Sequence, residues 1–349
     1  LTLPYRTDAG RATVAGRRQT ISATPEPSEA TAPVTAVASQ LAEPSAVAGM
    51  RDVSIVANAH SSLVINAPVP KPTHTNAQII YNAEGVTYIA ETFGLIETDG
   101  GTVTIECADG SGTNNLPARV SFNGKVPKLL NKDGLIVIKD RAEVTFHPTE
   151  GDGSGGGIRH HGFADPVTRI EAGCKIIGEK DTGVRIDCGA LELTARLNGE
   201  GQPEATQPEI VISAPDAERA FDLPSSGEIR RPDDRTVTLK LNVEGHFYAM
   251  GKMQFWADRT RGDSDTIWVS KSVEMDEITR VNVTWFPSNG ASAAAPTEWE
   301  LIKVTSGVAA DKITHDGLPA FDEPFPAGDF VPTIAFSSGD KKLIMERKN

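Results

Sequence analysis

Residues 169–197, RIEAGCKIIGEKDTGVRIDCGALELTARL, decide how the middle of this chain folds. Apolar and polar side chains alternate in short runs, with Val184 and Ile186 on one side of the chain and polar residues on the other. Turn tripeptides at 171–173 and 181–183, each ending in glycine, separate these runs. Alternation with a period of two between such turns is typical of half-buried strands. Short strands joined by tight corners, when repeated, predict the coils of a parallel β-solenoid.

The same pattern of short, glycine-punctuated β runs extends over residues 76–223. No strict repeat length is visible there, and an ordinary β-sandwich with short strands would leave a similar trace. We therefore predict an all-β domain over 76–223 that is either a short-strand β-solenoid or a sandwich. No window of similar length carries a helical period, so helices should be few and short.

The C-terminal part, residues 235–349, differs in composition from the middle of the chain. Its β runs are longer and richer in aromatic residues, and turn signals at 261–263 and 287–290 are typical of hairpins. This pattern predicts an antiparallel β-sandwich or jelly roll. The proline- and glycine-containing stretch 224–234 is interpreted as the link between the two β domains.

The N-terminal part has the composition of a segment that does not fold alone. No aromatic residue occurs in 17–49, and the stretch contains Pro25, Pro27, Pro33 and Pro44. Such a segment buries too little apolar surface to offset the entropy of ordering it. Alternating prolines over 68–72 favour an extended path. We predict that residues 1–75 form an extended arm and strap, held by the body of the chain or by neighbouring copies.

The overall charge and hydropathy exclude two classes of partner. The formal net charge is −13, which argues against a nucleic-acid partner because phosphate binding needs a concentrated basic face. The chain has no run of about 18 apolar residues, so we predict no membrane span and no membrane partner. No motif for a cofactor is present, and we predict that the chain has none.

Three acids are candidates for glycoside hydrolysis: Glu171, Asp181 and Asp187. Hydrolysis requires two carboxyl groups that face each other across a groove, and these acids fall on neighbouring predicted strands and corners. Acids near glycine are also common in turns for conformational reasons alone. We interpret them mainly as solvated strand and turn residues, with catalysis as the alternative.

Asp152, His160 and His161 are the candidates for metal binding, beside the glycine-rich loop 150–157. The loop lacks the Lys-Ser/Thr pair of a phosphate-binding P-loop and the repeat or terminal glutamate of a calcium loop. Adjacent histidines on a strand point to opposite faces, which disfavours a shared ion. We interpret this stretch as a flexible surface loop without a metal.

Trp256, Trp268 and Trp285 lie in three consecutive β runs and are the candidates for glycan binding. Aromatic rings stack on sugar rings, so tryptophans on successive strands would form a binding platform if they were exposed. Filling the core of a sandwich is the simpler role for such large side chains.

An extended arm, glycine-punctuated short strands and an aromatic-rich β end, all acidic, form a layout that resembles virion proteins of tailed bacteriophages: fibres, tailspikes and decoration proteins. The resemblance implies a non-enzymatic structural protein of the virion that assembles as a homo-oligomer, in particular a trimer. It also implies attachment to other virion proteins through residues 1–75, with the β domains making particle contacts or binding a host-surface glycan. The alternatives are a secreted or surface glycan-binding protein and a β-solenoid enzyme that degrades polysaccharides.

Overall fold

A computed structural model describes the central part of the chain with its side chains and the strands on either side. Backbone and side chains are described for residues 126–148, 151–162, 165–232, 237–258, 262–276, 278–284 and 298–304, and for a few positions beyond them. Outside these ranges the description covers the backbone of the strands. Every regular element in the described residues is a strand, so the all-β prediction is confirmed. No helix among them is long and apolar enough to cross a membrane.

The strands before the central part are β1 (Arg6–Thr7), β2 (Gly10–Ala15), β3 (Arg18–Ala23), β4 (Asp52–Asn58), β5 (Ser62–Ile65), β6 (Gln78–Asn82), β7 (Gly85–Ile89), β8 (Leu95–Ile105) and β9 (Arg119–Gly124). The central strands are β10 (Lys128–Ile138), β11 (Glu143–Pro148), β12 (Gly157–His160), β13 (Val167–Glu171), β14 (Lys175–Gly178), β15 (Gly183–Arg185), β16 (Gly189–Thr194), β17 (Ile210–Ser213), β18 (Phe221–Leu223), β19 (Gly227–Arg230), β20 (Lys240–Glu244), β21 (Phe247–Ala249), β22 (Lys252–Asp258), β23 (Thr266–Val269), β24 (Val273–Glu274), β25 (Arg280–Phe286) and β26 (Glu298–Val304). The last strands are β27 (Ile313–Thr314), β28 (Ala320–Phe321), β29 (Phe330–Phe336) and β30 (Lys341–Arg347).

The central strands pair in parallel to form three ladders, which we call the first, second and third faces. The first face contains β10, β12, β15, β18, β21, β24 and β27. The second contains the other half of β10, then β13, β16, β19, β22, β25 and β28. The third contains β9, β11, β14, β17, β20, β23 and β26. The chain visits the faces in turn and returns one coil further on, as in a parallel β-solenoid.

Inward-facing side chains stack from coil to coil and form the core. On the first face, Ile158, Val184, Phe221, Phe247 and Val273 follow one another in register, and all five are buried. The rings of Phe221 and Phe247 stack with their centroids 4.8 Å apart. Because each inward side chain packs against its counterparts above and below, apolar burial holds the coils together.

The length of a coil varies along the chain. Aligned residues on the first face are 26 positions apart between Ile158 and Val184, and again between Phe221 and Phe247. Val184 and Phe221 are aligned across 37 positions because the chain makes an additional loop at 195–209, between β16 and β17. Such differences in coil length explain why no strict repeat is visible in the sequence.

Glycines in the loop 150–157 allow the chain to turn close to the next coil. Gly157 has a φ of +89°, and a Cβ atom there would lie 1.9 Å from the carbonyl oxygen of Gly183. A Cβ atom on Gly153 would lie 2.4 Å from Cγ of Pro148. By contrast, a Cβ atom on Gly155 would meet no atom within 4 Å. The loop is therefore partly packed against the coils, and the interpretation as a flexible surface loop fits only its open positions.

A buried ion pair connects the second and third faces at one corner. Nη1 of Arg231, just after β19, lies 2.9 Å from Oδ1 of Asp265, just before β23. The Asp265 carboxylate also accepts hydrogen bonds from the backbone N–H groups of Leu239, at 2.7 Å, and Trp256, at 2.8 Å. These contacts join segments from successive coils at a point where the chain changes direction.

The prediction of an antiparallel sandwich over 235–349 is wrong for the strands between 240 and 304. There β20 to β26 pair in parallel and continue the ladders of the preceding strands across the stretch 224–234. Antiparallel pairing of named strands in this part occurs where β30 lies between β26 and β29. Alternation reports which side of a strand is buried and not the direction of its neighbour. Of the two alternatives for 76–223, the parallel pairing is that of the solenoid.

The arm predicted for residues 1–75 contains strands where it is described. β2 and β3 form an antiparallel pair, β3 pairs in parallel with β4, and β4 pairs in parallel with β8. These strands extend the ladder of the first face toward the N-terminus. Pro25, Pro27, Pro33 and Pro44 and the alternating prolines at 68–72 lie outside the described residues, so the extended path there stays a prediction.

Candidate functional site

One outward-facing row of polar side chains runs along the first face. It consists of Arg159, Arg185, Asp222, Tyr248 and Glu274, which occupy equivalent positions in β12, β15, β18, β21 and β24. Their neighbours along each strand point into the core, because successive side chains of a strand alternate between faces. We call these five residues the first-face row. Adjacent members are separated by one strand spacing of about 4.8 Å.

The middle of the row is an ion-pair cluster around Asp222. Nη1 of Arg185 lies 3.1 Å from Oδ2 of Asp222, and Nη1 of Arg219 lies 3.3 Å from the same oxygen. Nε of Arg185 also donates to Oδ1 of Asp187 at 2.6 Å. Only 3% of Asp222 is exposed. Two arginines therefore compensate its buried charge, and the carboxylate is an anchor for the cluster.

Arg219 connects the ion-pair cluster to the aromatic member of the row. Its guanidinium carbon lies 3.8 Å from the centre of the Tyr248 ring, a cation–π distance. Because the same guanidinium contacts Asp222, it fixes the position of Tyr248 relative to the cluster.

A cavity of about 620 Å³ opens beside Tyr248 and Glu274. The turn before β18, which carries Arg219, forms one wall, and His246 and Lys271 line the other. Burial, reinforced by the charge of Lys271, lowers the pKa of His246, so this imidazole is neutral at pH 7.

The walls of the cavity combine hydrogen-bond donors and acceptors with an aromatic ring. Arg219 and Lys271 carry donors, the carboxylate of Glu274 accepts, and Tyr248 supplies the ring. Nδ1 of His246 is 2.6 Å from the hydroxyl oxygen of Ser272, so that imidazole is fixed in place. Such a lining suits a ligand with many hydroxyl groups, such as a saccharide.

The predicted catalytic acids lie at separate places and have local partners. Oε2 of Glu171, at the end of β13 on the second face, accepts a hydrogen bond from the N–H of Asp140 at 3.0 Å, and burial raises the pKa of Glu171. Oδ1 of Asp181 accepts from the N–H of Glu218 at 3.0 Å. Asp187 is paired with an arginine of the first-face row. The structure therefore brings Asp187 to the first-face row and Asp181 to Glu218 beside the cavity, whereas Glu171 lies on another face.

The predicted metal ligands are also placed apart. Oδ1 of Asp152 accepts a hydrogen bond from the N–H of Ser154 at 2.9 Å, within its own turn. His160 is buried, whereas the adjacent His161 is exposed. Within the part of the chain that the structure describes, no group of three or more His, Cys, Asp or Glu side chains is arranged to hold a metal ion.

Both ring nitrogens of His160 make hydrogen bonds inside the solenoid. Nδ1 is 2.8 Å from the carbonyl oxygen of Cys188, and Nε2 is 2.8 Å from the hydroxyl oxygen of Thr168. A carbonyl only accepts, so Nδ1 carries the proton and Nε2 accepts from the hydroxyl. Burial lowers the pKa of His160 to about 4. This side chain is a neutral part of the core.

The predicted tryptophan platform is divided between faces. Trp256 lies on the outward side of β22 in the second face, and Trp268 on the outward side of β23 in the third face. The Trp268 ring has Nζ of Lys240 4.0 Å from its centre, and its Nε1 donates to Glu300 at 3.2 Å. The backbone of Trp285 is in β25, aligned with Ala257, and its side chain lies outside the described residues. Trp256 and Trp268 therefore do not share one surface.

Sequence reasoning did not find the first-face row. Its members are 26 or 37 positions apart, and none of them belongs to a motif. The available signal was the period-two alternation, which places each of them on the outward side of its strand. No protein-family model matches the chain, and no curated protein sequence matches it. The function is therefore argued from geometry.

Proposed function

We propose that this chain is a non-enzymatic structural component of a tailed-phage particle. In this proposal it assembles as a homo-oligomer, in particular a trimer, attaches to other virion proteins through residues 1–75, and uses its coiled region as a shaft that contacts the particle or the host surface. The continuous parallel ladder of the first face supports the proposal. From β3 through β27 it includes ten strands, and the nine spacings between them, at about 4.8 Å each, give a rod of roughly 43 Å.

Charged side chains on the outside reinforce the stacking of the coils. On the second face, Arg169, Glu192 and Arg230 follow one another in register. Nη2 of Arg169 lies 2.6 Å from Oε2 of Glu192, and Nε of Arg230 lies 3.1 Å from Oε1. Only 4% of Glu192 is exposed. One carboxylate thus connects three coils, as expected of a rod that bears load along its axis.

The two ends of the rod differ in a way that suits attachment at one end. At the C-terminal end, β30 pairs with β26 and β29 pairs with β30, so the third face ends in antiparallel strands with β29 outermost. The reversed strand direction ends the parallel ladder of this face there. At the other end, β3 and β4 join the N-terminal part to β8. This arrangement supports residues 1–75 as the attachment segment.

The oligomeric state tests this proposal. We expect the full chain to elute as one species of about 111 kDa by light scattering after size-exclusion chromatography, three times its 37.1 kDa mass. The mass should be constant over a tenfold dilution, because an assembly with an extensive interface does not dissociate in this range. A 37.1 kDa species at every loading would contradict the proposal.

A second candidate function is glycan binding by a secreted or surface protein, and the 620 Å³ cavity favours it. In that case Tyr248 is the aromatic contact with the glycan, and the three tryptophans do not form a shared binding surface. The third alternative, a polysaccharide-degrading enzyme that uses Glu171, Asp181 and Asp187, has no comparable support.

A further inference from the structure

Arg159 begins the first-face row and differs from the other outward arginines near it. It lies in the middle of β12 between two buried residues, so its side chain points outward. Its neighbour in β10 is Leu130, and its neighbour in β15 is Arg185. The neighbour on one side of Arg159 is therefore apolar, and the neighbour on the other side is a second positively charged residue.

The described residues supply no hydrogen-bond or ion-pair partner to Arg159. Its Nε is buried without an acceptor. Arg169, Arg185 and Arg230, which also point outward, each contact a carboxylate at 3.1 Å or less. A buried donor without an acceptor costs free energy. The two Nη groups of Arg159 are not among the buried atoms and have no acceptor among the described residues, so they are accessible to a ligand from outside the chain.

Arg159 lies within electrostatic range of other cations and of carboxylates. Burial, followed by repulsion from Arg185, lowers the pKa of Arg159 to about 10, and burial together with Arg159 lowers the pKa of Lys128. The carboxylates of Asp222, Asp181 and Asp187 act on Arg159 in the opposite direction, but each of them already has another partner. The Nη donors of Arg159 therefore remain open to an anion from outside the chain.

We propose that Arg159, supported by Lys128 and Arg185, binds an oxyanion carried by an acidic oligosaccharide. The two Nη groups of a guanidinium can donate two parallel hydrogen bonds to a carboxylate, phosphate or sulfate group. The saccharide follows from the position of the site. Arg159 and Tyr248 are three strand spacings apart on one row, about 14 Å, so a ligand of a few sugar units reaches from the guanidinium to the cavity. The proposal does not depend on the virion assignment.

Isothermal titration calorimetry of the full chain tests the site with defined probes. The probes are trigalacturonate, the uncharged trisaccharide maltotriose and inorganic phosphate, at about 0.15 M salt, where long-range repulsion from the acidic chain is screened. We expect trigalacturonate to bind and Arg159→Met to weaken it by about tenfold or more, because bidentate charged hydrogen bonds are lost. Arg169→Met is the matched control, an outward arginine on the second face, and should change the affinity by less than about twofold.

Three outcomes would overturn the proposal. Equal affinity of the original chain and Arg159→Met for trigalacturonate would exclude the site, as would tighter binding of maltotriose than of trigalacturonate. Binding of phosphate alone would show a free-anion site and exclude the saccharide.

Thermal unfolding without ligand shows whether the Arg159→Met variant is folded. Arg159→Met should unfold at the same temperature as the original chain or higher, because it removes a buried donor that has no acceptor.

Discussion

Replacing Gly157 with alanine is expected to lower the free energy of unfolding by about 3 kcal/mol or more, because the added methyl group meets both backbone strain and a close backbone contact. Gly157 has a φ of +89°, a conformation that L-alanine adopts only at a cost of about 1–2 kcal/mol. The new Cβ would also lie 1.9 Å from the carbonyl oxygen of Gly183 in the next coil. Since backbone cannot rotate away as a side chain does, β12 and β15 must separate.

Gly155→Ala is the matched control for this prediction. Gly155 has a φ of +80°, but a Cβ there meets no atom within 4 Å. It should therefore show only the conformational cost of about 1–2 kcal/mol. Urea unfolding followed by circular dichroism measures both variants. If Gly157→Ala and Gly155→Ala lose the same free energy, the close approach of the two coils at Gly157 is disproved.

Lowering the pH from 7 to 4 is expected to remove about 3 kcal/mol of stability through His160 alone. Its folded-state pKa of about 4 is below the ordinary value of 6.5 for a histidine. Between these two values the unfolded chain binds a proton that the folded chain does not, so stability falls as the pH falls through this range. The physical cause is burial of an imidazole whose two nitrogens already serve Cys188 and Thr168.

Two histidine variants isolate this effect from the titration of other groups. Chemical unfolding at intervals between pH 4 and 7 gives the slope of stability against pH for each. His160→Gln should show a shallower slope than the original chain, whatever its stability at pH 7. His161→Gln removes the exposed neighbour and should leave the slope unchanged. An identical slope in all three proteins would mean that His160 is not buried as a neutral side chain.

The local features of this fold were predictable from sequence. Alternation in residues 169–197 predicted strands that the structure contains as β13 to β16, because burial on one side of a strand leaves a period of two. The same rule predicted that His160 and His161 point to opposite faces, and this is confirmed by the burial of one and the exposure of the other.

The long-range features were not predictable. The direction in which β20 to β26 pair depends on the return path of the chain, and alternation is the same for parallel and antiparallel neighbours. The loop at 195–209 changes the coil length, so residues of the first-face row have no constant spacing. Arg159 gave no signal in sequence because its distinguishing property is the partner that it lacks.

The positions of the tryptophans also depend on the long-range path of the chain, which the sequence pattern does not predict. Trp256 and Trp268 lie close in sequence, yet a corner lies between their strands and they belong to different faces. The turn between them is closed by antiparallel backbone hydrogen bonds, from Asp258 to Asp263 and from Asp265 to Trp256, both 2.7 Å, as its turn signal predicted. The strand that follows nevertheless pairs in the third face, so proximity along the chain does not predict a shared surface.

Mass spectrometry of purified particles tests whether this chain is a component of a virion. Particles released by the strain that encodes this chain would be separated on a density gradient and quantified by peptide. We expect peptides of this chain to follow the particle band, in copy numbers divisible by three relative to the other virion proteins. Particles that lack these peptides, while the chain is present elsewhere in the same culture, would contradict it.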